Sequence, residues 1–368
     1  MRSIFVIAPV HPADDVRVYS KQVRAMINNG FAVSLLARTP WGASIDPRVN
    51  LILVPNFDSR GQRFLFLFRV LWLALRSPAD LIYCHNPDTL PVVFICKLFG
   101  KNVAYDTHEN FLLRIRSRIW IPKWFRVPLA FVVHKAEVLA SYVADLVIVT
   151  QRAMMPSFNP NKTILIANPP LVPTHAPSVR LDRSSDVVRL GYMGGISMAR
   201  EIHNIVDQLP MLNQQGAVVL DLIGPVDAKY LNDLQGSLGW QYVNFHGRLP
   251  QDQGFDILRG VDFGLIVLPD RADFRFTSPN KLFEYCALGI PFIASDFPDW
   301  KAPFGSHDVG YFIDPRSLKT IGDILVQFRT SRDVAMDKGT RGYAFVRDVF
   351  NWSVIEHSYI GRVALACE

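Results

Sequence analysis

Ser278, Pro279, Asn280, Lys281 and Glu284 stand in the order that a phosphate-binding helix start requires. Ser278 suits a helix N-cap, and Pro279 suits the first helical position. The free N–H groups and positive dipole of such a start favour a phosphate. Lys281 adds a mobile cation there, and Glu284 follows on the same face. A carboxylate beyond a phosphate cradle is placed to take ribose hydroxyls. One helix would then hold the diphosphate and ribose of a nucleotide. The same residues also make an ordinary capped surface helix with a Lys–Glu pair, so the helix alone does not decide the matter.

Other clusters of reactive residues follow apolar runs. Gly194-Gly195-Ile196-Ser197 comes after Val188–Met193 and before a helical pattern with Arg200. Glycines there let the backbone approach a phosphate that Arg200 can hold through two hydrogen bonds. The turn is not G-x-G-x-x-G, and neither is the first turn, Pro9 to Asp15, which argues against a nicotinamide dehydrogenase. His85-Asn86-Pro87-Asp88 and Asp106-Thr107-His108-Glu109 each end an apolar run. His108 and Glu109 suit acid–base chemistry, while Asp106 or Thr107 equally suits a helix cap. His85 and His108 lack the i, i+4 spacing of a helical ligand pair, so no metal site is expected. Arg114, Arg116, Arg118, Trp120, Lys123, Trp124, Phe125 and Arg126 crowd one segment, and Arg60–Arg76 has similar character. Cations interleaved with aromatics fit a membrane interface. A nucleic-acid surface or a basic surface over packed aromatics fits the same composition, but no known nucleic-acid motif accompanies it.

These residues need a scaffold, and the patterning supplies one. The chain of 368 residues is 49% apolar, enough for two buried cores. In residues 1–170, strand patterns at Ser3–Ala8, Phe31–Ala37, Asn50–Val54, Asp80–Cys84, Asn102–Asp106 and Asp145–Thr150 alternate with helical ones. The helical patterns are Val16–Asn29, Phe64–Arg76, Thr89–Phe99 and Pro128–Val143. Residues 171–187 are Pro-rich and read as a linker. The alternation restarts over 188–350, with strands at Val188–Met193, Ala217–Ile223, Tyr242–His246, Asp262–Leu268 and Pro291–Ser295. The rest is mostly helical, and 351–368 forms a terminal helix that can cross back to the first domain. The expected class is α/β, two doubly wound parallel domains facing a cleft. Ligands then lie beyond the carboxyl ends of the strands.

No apolar run reaches the ~20 residues of a membrane span. Met1–Pro9 is too short for a signal peptide and reads as a first strand. Cys84, Cys96, Cys286 and Cys367 form no C-x-x-C pair, which suits a reducing compartment without disulfides. Residues 1–180 carry 21 Lys/Arg against 10 Asp/Glu, and the remainder 18 against 23. The basic first half predicts an acidic partner surface.

With these motifs in hand, the sequence resembles the family-four glycosyltransferases of bacterial polysaccharide and cell-envelope assembly, whose GT-B fold has two Rossmann-like domains. His11-Pro12 with Asp15-Val16-Arg17 resembles the first loop of that group. His85 to Pro91 and Tyr105 to Glu109 resemble its acceptor-side segments. Tyr192 to Gly195 with Arg200 resembles its phosphate turn, and Ser278 to Pro291 its donor helix. Two departures stand out. The family's donor segment carries two Glu residues, but the first position here is Phe276. Glu201 follows Arg200 where the family usually has Gly, and it should point away from the phosphates.

The resemblance implies a nucleotide diphosphate sugar donor held by Gly194, Gly195, Arg200, Ser278, Asn280, Lys281 and Glu284. It implies a lipid-linked saccharide acceptor near His11, Asp15, His85 and Asp88, and catalysis by Glu109, His108 and Asp106. No cofactor and no bound metal are implied, and no nucleic acid. The protein would be cytoplasmic, peripheral at the inner face of an anionic cytoplasmic membrane. A sugar-nucleotide epimerase of the same fold and a non-catalytic nucleotide-sugar-binding protein remain the alternatives.

Overall fold

In a computed structural model, residues 1–42, 44–55, 60–118, 121–172, 186–276 and 279–368 are described. Trp120, Ser278 and most of the Pro-rich stretch, including Pro173 and Pro177, lie outside the described residues. The chain divides into two compact units, 1–168 with 352–368, and 169–351.

Unit 1 is built on seven parallel strands. They are β1 (Ser3–Pro12), β2 (Ala32–Arg38), β3 (Asn50–Val54), β4 (Leu81–His85), β5 (Val103–Thr107), β6 (Leu146–Val149) and β7 (Thr163–Leu165), in the order β3-β2-β1-β4-β5-β6-β7. The central strands are buried on both faces, which is why they read as continuous apolar runs. Successive residues of β1 serve opposite cores: Ile4, Val6 and Ala8 one, Phe5 and Ile7 the other. Each fully buried aliphatic side chain contributes about 1.5–3 kcal/mol.

After β1 the chain makes a wide π-helical turn, Val16–Val23, and continues as α1 (Arg24–Asn28). Asp15 caps this turn by accepting from the Arg17 and Val18 N–H groups. The turn carries Arg17 and Lys21 inward, and both are buried. The opposite face of the sheet is covered by α2 (Arg60–Arg76), α3 (Leu90–Leu98) and α5 (Lys123–Val143), with the short α4 (Phe111–Ser117) between α3 and α5 in sequence. Helix α5 begins five residues before Pro128, where the sequence pattern starts it. Strand β7 escaped the sequence reading because it is a three-residue, partly exposed edge strand.

Unit 2 repeats the plan with β8 (Val188–Met193), β9 (Val218–Ile223), β10 (Val243–Gly247), β11 (Phe263–Ile266), β12 (Phe292–Ser295) and β13 (Gly310–Ile313). Their order is β10-β9-β8-β11-β12-β13, all parallel. One face packs on α6 (Ile202–Gln214), α7 (Ala228–Gln235) and α12 (Thr320–Thr330). The other packs on α8 (Gln251–Leu258), α10 (Asn280–Ala287) and α13 (Arg332–Asp348), while α9 (Ala272–Arg275) and α11 (Pro298–Lys301) are single turns. The chain then returns to unit 1 as α14 (Trp352–Ala366), whose Trp352, Tyr359 and Val363 enter the first core.

In each sheet the strand order reverses beside the first strand, between β1 and β4 and between β8 and β11. The carboxyl ends of strands at such a reversal form a crevice suited to ligands.

Candidate functional site

The two units each gather sequence-flagged residues at the carboxyl ends of their strands. In unit 2, β8 ends in Gly194 and Gly195, β9 ends at Gly224, and α10 lies beside them. Gly194 has φ +150°, and a Cβ placed on it would lie 2.3 Å from Cε and 2.6 Å from Nζ of Lys281. Gly224, φ +149°, approaches so closely that a Cβ there would overlap the Gly194 carbonyl oxygen. The turn is thus walled by bare backbone, with the Lys281 ammonium resting against it.

Arg200 reaches the same turn. Its Nη1 donates to the Tyr192 hydroxyl at 3.3 Å, and that hydroxyl donates to the Gly195 carbonyl at 2.9 Å. The Arg200 guanidinium lies 6.0 Å from the Phe274 ring centroid. Burial lowers the Lys281 pKa; Glu284 opposes this and Arg200 adds to it. Two cations close together on a glycine wall make an anion site with charge to spare.

Glu284 lies one turn along α10, and Gln251 donates to it at 3.4 Å. Asn280, exposed, is the first residue of α10, and Pro279 is its cap residue. The helix therefore starts one residue later than the sequence suggests. Glu201 adopts a left-handed conformation (φ +53°), and its carboxylate accepts from Asn204 instead of entering the turn. Gly224 and Gln251 were not singled out as site residues, and Tyr192 only as part of the phosphate-turn motif. Of the first two, only Gly224, a Gly after an apolar run, offered a signal.

In unit 1, β1, β4 and β5 bring His11, His85 and Asp106 to one end of the sheet. Asp106 is fully buried. It accepts from Arg17 Nη2 at 3.0 Å on both oxygens, from Gln22 at 2.6 Å and from the Tyr83 hydroxyl at 3.0 Å. Burial raises its pKa, but the Arg17 charge, His85, His108 and the Gln22 hydrogen bond together outweigh burial and hold it at about 2, so the carboxyl stays ionised. Such an anchored, water-excluded carboxylate is no general base. Asp106 holds this network in place.

His11 places Nδ1 3.2 Å from Asp15 Oδ2 and Nε2 2.8 Å from Asn86 Nδ2. A neutral ring satisfies both contacts by donating from Nδ1 and accepting at Nε2. The His11 ring lies edge-on to His108, with centroids 5.1 Å apart, and to His85 at 6.1 Å. Both ring nitrogens of buried His85 lack a partner, as does Nδ1 of His108. Burial lowers the His85 pKa to about 4; for His108, burial and then the Arg17 charge lower it to about 3. At neutral pH both rings are uncharged hydrogen-bonding groups, so His108 is a weak base and no acid there. Asp88 is exposed on the short turn Pro87–Thr89, which follows the left-handed Asn86.

Glu109 is the remaining acid–base group. Its carboxylate is partly exposed and pairs with Arg114 at 2.5 Å. Burial raises its pKa, with Arg114 and Arg118 opposing. The Arg118 pKa is lowered first by burial, while Glu109 and Asp88 pull it upward. Arg114 and Arg118 thus belong electrostatically to the acidic residues of this site.

Among the described residues, His85, Asp106 and His108 form a group whose ligand atoms lie within 4.8 Å of one another. A dication there would meet the Arg17 guanidinium and a carboxylate already accepting four hydrogen bonds. Of the three, Asp106 is hydrogen-bonded on both oxygens, while the His85 nitrogens and His108 Nδ1 have no partner among the described residues.

The chain matches no known family profile and no curated protein. Solved structures match over essentially its whole length. The sucrose-phosphate synthase of Thermosynechococcus elongatus has a TM-score of 0.76 at 16% identity, covering 100% of both chains. Anabaena HepE in complex with UDP has a TM-score of 0.70 at 16% identity, covering 99% of this chain and 100% of its own. WaaG, a glycosyltransferase involved in lipopolysaccharide biosynthesis, has a TM-score of 0.70 at 13% identity, covering 97% and 98%. The protein has the GT-B fold of these neighbours, as the sequence resemblance implied.

Proposed function

We propose that this protein is a metal-independent glycosyltransferase that moves a sugar from a nucleotide diphosphate sugar to a lipid-linked saccharide in cell-surface polysaccharide synthesis. The observation that carries this reading is Lys281 seated on the bare turn at Gly194, with Arg200 beside it and Glu284 one turn on. Positive charge fixed in place stabilises a leaving diphosphate without a metal ion. Glu284 would take the ribose hydroxyls, and Asn280 would sit at the phosphate end of α10. In unit 1, Glu109 would be the acceptor-side base, with neutral His108 and His11 as hydrogen-bond partners of the sugars. The nucleotide complex of a neighbour of the same fold supports this reading.

A lipid-linked acceptor requires access to a bilayer. Helices α2, α4 and α5 together carry nine Lys or Arg and one carboxylate, Glu137, which is buried. Leu65, Phe68 and Trp72 on α2, and Trp124, Phe131 and Val132 on α5, are each more than half exposed. Arg76 lies 4.5 Å over the Trp72 ring and Lys135 5.2 Å over Phe131. Exposed apolar side chains among cations, without exposed acid, suit anionic lipid headgroups. Among the described residues no helix is long and apolar enough to cross a membrane. Docking would therefore be peripheral, at the inner face of the cytoplasmic membrane.

The test is a panel of nucleotide diphosphate sugars incubated with membrane lipid extracts and a chelator. Release of nucleoside diphosphate with labelled lipid product is the expected result. Donor turnover without any acceptor would replace the reading with an epimerase, and donor binding without turnover would replace it with a binding protein.

A further inference from the structure

Glu137 is a buried carboxyl with no partner of opposite charge among the described residues. It lies on α5, 1% exposed, and its Oε1 accepts from the Tyr105 hydroxyl at 2.9 Å and the Thr107 hydroxyl at 2.7 Å. Thr107 also stands 3.4 Å from the carbonyl oxygen of Glu109. One hydroxyl therefore lies between a buried carboxyl and the backbone of the candidate base.

A threonine hydroxyl has a single proton to give. When Glu137 is ionised, that proton goes to its carboxylate, and the Glu109 carbonyl gets none from Thr107. When Glu137 is protonated, its O–H donates to the Thr107 oxygen, which frees the Thr107 proton to rotate onto the Glu109 carbonyl. The neighbouring residue is already fixed, because the Thr150 hydroxyl donates to the His108 carbonyl at 2.9 Å. We propose that Glu137 is a proton-controlled positioning residue, whose charge decides whether Thr107 clamps the backbone of Glu109. The proposal rests on reading Glu109 as the acceptor-side base.

Burial raises the Glu137 pKa to about 7, while the two hydroxyls partly oppose the rise. Among the described residues no charged group shifts it. From β5 it faces Tyr105, with Asp106 beyond, held by Arg17. Lys97 of α3 is committed to Asp145, and Cys96 of α3 is un-ionised, its pKa raised by burial. Arg114 of α4 is on Glu109, while Arg116 of α4 and Lys135 of α5 are exposed and His134 of α5 is pushed toward neutrality by burial. The switch therefore operates near neutral pH.

The test is amide hydrogen exchange over residues 108–111 of the whole protein at about pH 6 and about pH 8, corrected for intrinsic rates. Wild-type protection should fall severalfold as pH rises. Glu137→Gln, whose amide donates to Thr107 as the protonated carboxyl does, should hold one level of protection at both pH values. Thr107→Ser should follow wild type, and Thr107→Val should lose protection at both. Unchanged wild-type protection, or a wild-type pH response in Glu137→Gln, overturns the proposal. Should that variant not fold, the carboxyl carbon resonance of wild-type Glu137 decides, and titration in the ordinary carboxylate range overturns it. None of these readouts needs sugar transfer, so a failed transferase reading and a failed relay are told apart.

Discussion

Arg114 Nε lies 2.5 Å from Glu109 Oε2, so a side chain of the basic, aromatic-rich segment is the counter-ion of the candidate base. Burial raises the Glu109 pKa and Arg114 restrains it. Arg114→Gln should therefore move the acidic limb of the kcat/KM profile to higher pH. Arg116, which is exposed on the same helix, is the control, and Arg116→Gln should leave the limb in place. An unmoved limb in Arg114→Gln removes Glu109 from the base role.

Lys281 should be the largest single contributor to donor diphosphate binding. A charge-assisted contact contributes about 1.5–3 kcal/mol, so Lys281→Ala should weaken nucleoside diphosphate binding about tenfold or more. Gly194→Ala should give a similar loss by displacing the lysine. Glu284→Gln should weaken the nucleoside diphosphate as well as the full donor. Calorimetry with UDP and ADP measures all three, and wild-type affinity in Lys281→Ala would refute the diphosphate assignment.

Vesicle binding should have two separable parts. Lys123→Glu with Lys135→Glu should abolish the salt-sensitive part, since each cation near an anionic surface contributes on the order of 1 kcal/mol. Trp124→Ser with Val132→Ser should abolish the part that survives high salt. Neither pair touches Glu109, so nucleotide binding should be unchanged. Co-sedimentation with anionic and neutral vesicles checks this, and equal binding to both kinds by the wild type counts against the surface.

His85 and Glu137 should give stability slopes of opposite sign. His85 has a folded-state pKa of about 4, below the ordinary imidazole value, so its contribution is complete above the unfolded pKa and is lost as pH falls toward 4. Glu137, raised to about 7, contributes fully below the unfolded carboxylate pKa and loses this as pH rises to 7. Each effect is on the order of 3 kcal/mol. Between these limits the two oppose each other in the wild type. His85→Gln should make stability fall more steeply with rising pH, and Glu137→Gln should make it rise more steeply. Denaturant unfolding across this range decides, and parallel curves for the two variants would contradict both assignments.

The alternating plan was legible because parallel strands covered on both faces must be apolar throughout, as Leu146–Val149 and Phe263–Ile266 are. The edge strands β7 and β13 bury less and were missed. The cation-lined turn was legible in part, since Gly194, Gly195 and Arg200 are close in sequence. The contact of Lys281 with Gly194 was implied only by the resemblance. The Arg17–Asp106 pair was illegible, because 89 residues separate its members and only the fold brings them together. That pair anchors Asp106 at the end of its strand. Glu137 gave no signal at all, since a lone carboxylate in an amphipathic helix ordinarily faces water.

The return of α14 to the first unit has a consequence for synthesis on the ribosome. Unit 2 occupies 169–351, inside the stretch that interrupts unit 1. Unit 1 lacks Trp352, Tyr359 and Val363 until the whole of unit 2 has been made, and those side chains close its core. Tyr359 also contacts the Tyr83 hydroxyl at 3.3 Å, so the network around Asp106 is incomplete until then. The second half can finish folding while the first still waits with an apolar face uncovered. Unit 1, begun before unit 2, is therefore completed after it, and the nascent protein in that interval is the form most in need of a chaperone.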